Sequence, residues 1–157
     1  MVDLASRRIV HFNVTPHPTD AWVAQQLREA TPFGQAPRFL IRDRDSKYGQ
    51  NFTRVAAGRT IEILKTPYRA PKANAICGRF LGSVRRECQD HMLILGEGHL
   101  YRVIKEYVTF FNQARPHQGI EQRIPEESLP AGRGERKGKI IAFPVLNGLH
   151  HDYRRAA

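Results

Sequence analysis

Between Lys72 and about His91 no proline interrupts the chain, and Ile76, Phe80, Val84 and Cys88 recur at every fourth position. That period lays one apolar stripe along a helix, so the segment predicts an amphipathic helix whose stripe faces a sheet. The same spacing puts Gly78, Gly82 and Arg85 on the opposite side, with Lys72, Arg79 and Arg86 flanking them as a basic strip spaced by seven. Upstream, residues 7 to 15, RRIVHFNVT, alternate and are β-branched, which predicts a strand. Pro18, Thr19 and Asp20 make a turn and N-cap signal, and Trp22, Val23, Gln26 and Leu27 follow at helical spacing. The short apolar run 38–43 after Pro37 predicts a buried strand, and residues 60–66 predict another that Pro67 stops. A second helix is expected from about His99 to Asn112, with Leu100, Val103, Ile104, Tyr107, Val108 and Phe111 inward. Beyond Pro130 the run AGRGERKGK reads as a glycine-rich basic linker, followed by one short apolar strand, KIIAFPVL. Strands alternating with helices put the chain in the α/β class.

A chain of 157 residues is about one domain's worth, and 41% hydrophobic content with 25% charged residues reads as globular. Lysine and arginine number 25 against 15 aspartates and glutamates, a net charge of +10 that suits a polyanionic partner. A solvated basic surface is the other reading of that charge. Cys77 and Cys88 lie about three turns apart on the predicted helix, too far to bridge, and read as small core residues in a reducing compartment. No apolar run approaches the ~20 residues that cross a bilayer, and no signal-peptide pattern opens the chain, so the expected location is cytoplasmic and away from membranes.

Several stretches in order carry a family resemblance. DLASRRIVHFNVT, FLIRDRDSKY at 39 to 48, TPYRAPKANAICGRF at 66 to 80, and YVTFFNQARPHQGIEQRIPEE at 107 to 127 together resemble the catalytic core of insertion-sequence transposases and retroviral-type integrases. The last of them is similar to the family's closing signature of an aromatic helix, Asn, Arg-Pro-His and a Pro-Glu pair. The ending GLHHDYRRAA resembles the tails of some insertion-sequence transposases. The resemblance implies a ribonuclease H-like integrase core over residues 1 to 130, an incomplete mixed sheet flanked by helices, with 131 to 157 as basic linker and tail. It also implies that the family's first strand, with its aspartate, lies upstream of Asp3, so that the chain is expected to lack both.

In that family two aspartates and a glutamate hold a pair of divalent ions, Mg²⁺ or Mn²⁺. Two metals roughly 4 Å apart activate the attacking oxygen and stabilise the leaving one, so several carboxylates must converge on one point. Asp43 corresponds to the second aspartate, and the glutamate is then expected about 35 positions on, at Gly78, which has no side chain to offer. Asp43 has two readings, the inherited catalytic metal ligand or a turn-forming aspartate in the charged run Arg42 to Asp45. Asp45 reads as a solvated turn residue. Glu87, nine residues past Gly78, is rotated about 180° and raised about 13 Å on an ideal helix, so it reads as a surface or ion-pair residue. His117 is expected to serve packing and a turn, and His150 and His151 fall in the tail, where disorder is one reading.

For DNA, the resemblance points to Lys72 and Asn74 at the loop and helix start, and to Arg85 in the place of a recurrent substrate-contacting base; Arg79 and Arg86 extend the strip. Such cations bind phosphates without reading sequence. An ordinary charged helix face is the plainer alternative. The implied function is DNA integration by metal-dependent strand transfer, with this chain impaired and metal binding weak or absent. The alternatives are a non-catalytic DNA-binding or subunit-mixing regulator, partnered by full-length transposase or by its own copies, and a decayed product without function.

Overall fold

In a computed structural model, the structure describes residues 1–126 and 138–156, with the backbone alone at Pro71 and Ala73. Two compact units divide the chain: Met1 with Val10–Arg79, and Val2–Ile9 with Phe80–Ala157.

In the first unit the elements run α1 (Asp20–Ala30), β1 (Phe39–Arg42), α2 (Gln50–Ala57), β2 (Glu62–Lys65), a 3-10 turn (Pro71–Asn74) and the start of α3 (Ala75–Glu87). Thr19 caps α1 as the sequence predicts, its hydroxyl accepting from Trp22 N at 3.2 Å. Val23, Ala24 and Leu27 of α1 pack with Phe52, Val55 and Ala56 of α2 and with Ile61 to form the core. Each large apolar side chain so buried contributes about 1.5–3 kcal/mol relative to an exposed one. β1 and β2 pair in parallel, Phe39 opposite Glu62 and Arg42 opposite Lys65, with α2 as the crossover between them. The helix α2 was not anticipated: its buried positions are only Phe52, Val55 and Ala56, too short a run for periodicity to separate from a loop.

Three expectations need correction. β1 is not a buried strand, because Phe39 and Ile41 are 43% and 40% exposed. Residues 7 to 15 do not form a strand; Ile9 makes one isolated antiparallel bridge to Val2. On the edge away from Val2 no strand can pair at Ile9, because the Asn112 side chain takes both its N–H and its C=O, at 2.8 and 3.0 Å. The helix after Pro71 begins at Ala75, not Lys72, so Lys72 sits on the 3-10 turn and leaves the seven-residue strip.

The second unit holds the rest of α3, a 3-10 turn (Gln89–His91), α4 (Glu97–Gln113), a 3-10 turn (Gln118–Ile120), β3 (Ile140–Val145) and β4 (His150–Arg155). Val103, Tyr107, Val108, Phe111 and Asn112 form the buried face of α4, close to the periodicity read from sequence. Phe80 meets Phe111 edge-on at 5.1 Å, so here the α3 stripe packs on a helix where a sheet was expected. Val84 and Cys88 complete that stripe and are buried, and both cysteines are free thiols.

The single strand expected after the linker is a hairpin. β3 pairs antiparallel with β4, Ile140 opposite Arg155 and Val145 opposite His150, so His150 and His151 are strand residues. Asn147 and Gly148 both have positive φ in the connecting turn, the conformation an Asn-Gly pair favours. Among the described residues the two sheets are separate pairs, one parallel and one antiparallel, and no single mixed sheet is formed. The expected linker residues 131–137 lie outside the described residues.

Candidate nucleic-acid interface and acidic positions

Asp43 follows β1 at the C-terminal end of the parallel pair, the edge at which α/β sheets place their crevices. There it forms a local turn: Oδ1 accepts from Asp45 N at 3.3 Å, and its carbonyl accepts from Arg42 Nη1 at 2.9 Å. Asp45 behaves as the sequence predicts, exposed and accepting from Lys47 N at 3.0 Å and from Lys47 Nζ at 2.9 Å. Those hydrogen bonds, the backbone one first, hold its carboxyl below the ordinary range. Cations crowd this end: Arg42 lies 5.0 Å and Lys47 5.3 Å from the Tyr48 ring centre, and Arg44 Nε donates to Thr66 O at 3.1 Å. Sequence reading missed the Tyr48 platform, although the alternating charges of RDRDSKY were its signal.

The remaining positions lie on the 3-10 turn and α3. Lys72 is exposed and Asn74 half-buried on the turn. Gly78 is in the first half of α3, and a Cβ built there meets nothing within 4 Å. Arg79, Arg85 and Arg86 are exposed on the same helix. Arg85 approaches Asp90 at 3.6 Å with three-quarters of its side chain in water, a pair of little energetic weight. Arg86 folds back over Gly82, and its carbonyl accepts from His91 Nε2 at 2.9 Å. Among the described residues no hydrogen bond or ion pair ties Asp43 to Lys72, Asn74, Gly78 or Arg79.

Divalent ions need converging oxygen donors. Among the described residues no set of three or more histidine, cysteine, aspartate or glutamate side chains could hold a metal. Asp43 spends one carboxylate oxygen on its turn, Gly78 has no donor, and Asp3 closes its own turn with Ala5 N at 2.8 Å. Glu87 is gripped by Arg115 and by Tyr107 OH, at 2.6 to 2.8 Å. The donors described do not fit a two-metal site.

His117 is buried, as a packing histidine should be: Nε2 donates to Phe111 O at 3.0 Å and the ring meets Phe111 at 4.2 Å. No helix among the described residues is long and apolar enough to cross a membrane. No curated protein matches the chain. Residues 59–125 match the family model described as integrase core domain, a span that takes in β2, α3, α4 and the Arg-Pro-His turn. Across those residues this chain is similar to integrase core domains.

Proposed function

We propose that this chain is a transposase and integrase-family protein of DNA integration, built on a ribonuclease H-like core, that contacts DNA but is impaired in metal-dependent strand transfer. The observation that carries the reading is the state of α3: Gly78 offers open space and no donor, while Arg79, Arg85 and Arg86 stay exposed on the same helix. A helix that keeps its cations without its carboxylate retains phosphate affinity and loses the clamp that the chemistry needs. Lys72 and Asn74 add a cation and an amide on the turn that leads into it. Asp43 alone would bind Mg²⁺ or Mn²⁺ weakly, since magnesium gives up its water reluctantly to a single carboxylate.

The test has two arms. Binding of a duplex oligonucleotide, followed by fluorescence anisotropy across a salt series, should weaken linearly in log–log form, with little dependence on sequence. Replacing Arg79, Arg85 and Arg86 with alanine should lower the slope by about 0.9 for each phosphate that is no longer neutralised. In the second arm the chain is given transposon-end DNA and Mg²⁺. A strand-transfer product that disappears in Asp43→Ala would refute the impairment, and salt-independent binding would refute the DNA contact.

A further inference from the structure

We propose that two copies of this chain pair edge to edge through β4, across a two-fold axis at Tyr153. Ala156 N donates to Lys139 O at 2.8 Å, which fixes the alternation of the β3–β4 ladder. Residues 141 and 154, 143 and 152, and 145 and 150 are then the hydrogen-bonded pairs. The backbone N–H and C=O groups of His151, Tyr153 and Arg155 therefore point away from β3. Among the described residues β4 has β3 as its sole strand partner, so none of them pairs as a strand with this outer edge.

The other edge is blunted. Pro144 stands opposite His151, at a position whose nitrogen points outward, and proline has no N–H to donate. With one pairing edge blunted and the other unpaired among the described residues, strand addition ends at a closed dimer rather than a filament.

A second copy suits this edge better than other occupants. The hairpin leaves Ile140, Ile141, Phe143 and Tyr153 between 41% and 68% exposed, more apolar surface than a phosphate backbone uses. Paired antiparallel about Tyr153, the two β4 strands set His151 against Arg155 of the other copy. Asp152 then faces Arg154 in both directions. Within one chain Arg154 already reaches Asp152 at 2.6 Å, so their charges lie on one face and complement themselves across the axis. The inference is independent of the DNA-contact reading.

The experiment is sedimentation velocity of the full chain over a concentration series, with circular dichroism as the folding check. Wild type should dimerise. Asp152→Arg and Arg154→Asp should each weaken dimerisation by about tenfold or more, since each sets like charges opposite one another. Mixed one to one, the two variants should regain a heterodimer, because the all-cationic and all-anionic strands then complement each other; an effect confined to the intrachain pair would give no such rescue. Tyr153→Pro, which removes an outward donor without breaking a β3–β4 bond, should abolish pairing in a folded chain. Wild type that stays monomeric, variants that dimerise like wild type, or a mixture without gain would each overturn the proposal. So would a monomer whose hairpin variants lose DNA affinity instead, which would make nucleic acid the occupant.

Discussion

Arg115 holds Glu87 with two hydrogen bonds, Nη2 to Oε1 at 2.6 Å and Nε to Oε2 at 2.8 Å, joining the Arg-Pro-His turn to the last residue of α3. Tyr107 OH donates to the same Oε2 at 2.8 Å. Burial opposes ionisation of Glu87, but the hydrogen bonds from Arg115 and Tyr107 outweigh it and hold the carboxyl below its ordinary 4.5. Burial together with that hydrogen bond pushes the Tyr107 phenol far up, so it stays a donor at any working pH.

Glu87→Gln should destabilise the chain by about 1–3 kcal/mol in urea unfolding, because a half-buried guanidinium loses its charged partner. A carboxyl whose folded pKa is depressed stabilises fully above its unfolded value, and the contribution fades as pH falls through the folded one. The difference between wild type and Glu87→Gln should therefore be largest above pH 4.5 and shrink below it. A difference that persists unchanged at pH 2 would contradict the assignment.

His117 predicts a second, separate pH window. Its Nε2 donates to Phe111 O at 3.0 Å, and Nδ1 lies 3.3 Å from Arg115 Nη1, where it accepts. One neutral tautomer satisfies both bonds, while protonation would set a new charge against the guanidinium. Burial, the largest influence, and Arg115 lower the histidine's pKa below 6.5, although the Phe111 carbonyl pulls it up. A base depressed in the folded state binds fewer protons there, so stability should fall as pH drops below about 6.5. His117→Gln should flatten that slope, measured by urea midpoints between pH 7.5 and 5.5; an unchanged slope would point to another group.

Much of this arrangement was legible in residues with a local signature. Thr19 before a 3.6-residue period gave α1, and the Tyr107 to Phe111 spacing gave the buried face of α4. The unread parts depend on distant partners. Nothing near Ile9 says that Asn112 will occupy its backbone, which takes one edge of an alternating, β-branched run away from strand pairing at that residue. β4 reads HHDYRR, polar apart from Tyr153, because it pairs by backbone along a strand whose own apolar residues stay exposed. Only the Asn-Gly turn announced it. At the acidic positions, the expectation at Gly78 came from the family resemblance and not from periodicity, whereas Asp43's own turn, one of its two sequence readings, emerged only from geometry.

Gly78 yields a prediction of opposite sign to most core changes. It lies inside α3 with no neighbour within 4 Å of a built Cβ, so alanine meets no clash and loses less backbone entropy on folding. Gly78→Ala should stabilise by about 0.5–1 kcal/mol. Gly78→Glu should also fold, with part of that gain, yet give no strand transfer by itself. A destabilised alanine variant would mean that the position is crowded, and an active glutamate variant would mean that donors already converge there.

Asp20 supplies the cap that α2 lacks. Gly49, at the N-cap, has no side chain to offer, and the Asp20 carboxylate accepts from Gly49 N at 2.9 Å, Asn51 N at 2.9 Å and Phe52 N at 3.0 Å. Those bonds, Phe52's foremost, lower its pKa below 3.8, consistent with an anion at a helix N-terminus. The approach requires glycine at 49, since a Cβ there would stand 2.8 Å from the carboxylate. Asp20→Ala should thus lower the thermal midpoint and speed hydrogen exchange at the amides of Asn51 and Phe52, with α1 left helical. Gly49→Ala should reproduce much of that exchange by pushing the carboxylate away. Because the folded pKa is depressed, the cap contributes above pH 3.8 and is lost as pH falls through the lowered value, so wild type and Asp20→Ala should converge in strong acid. Unaltered exchange at Phe52 in both variants would show that α2 is held by its apolar face alone.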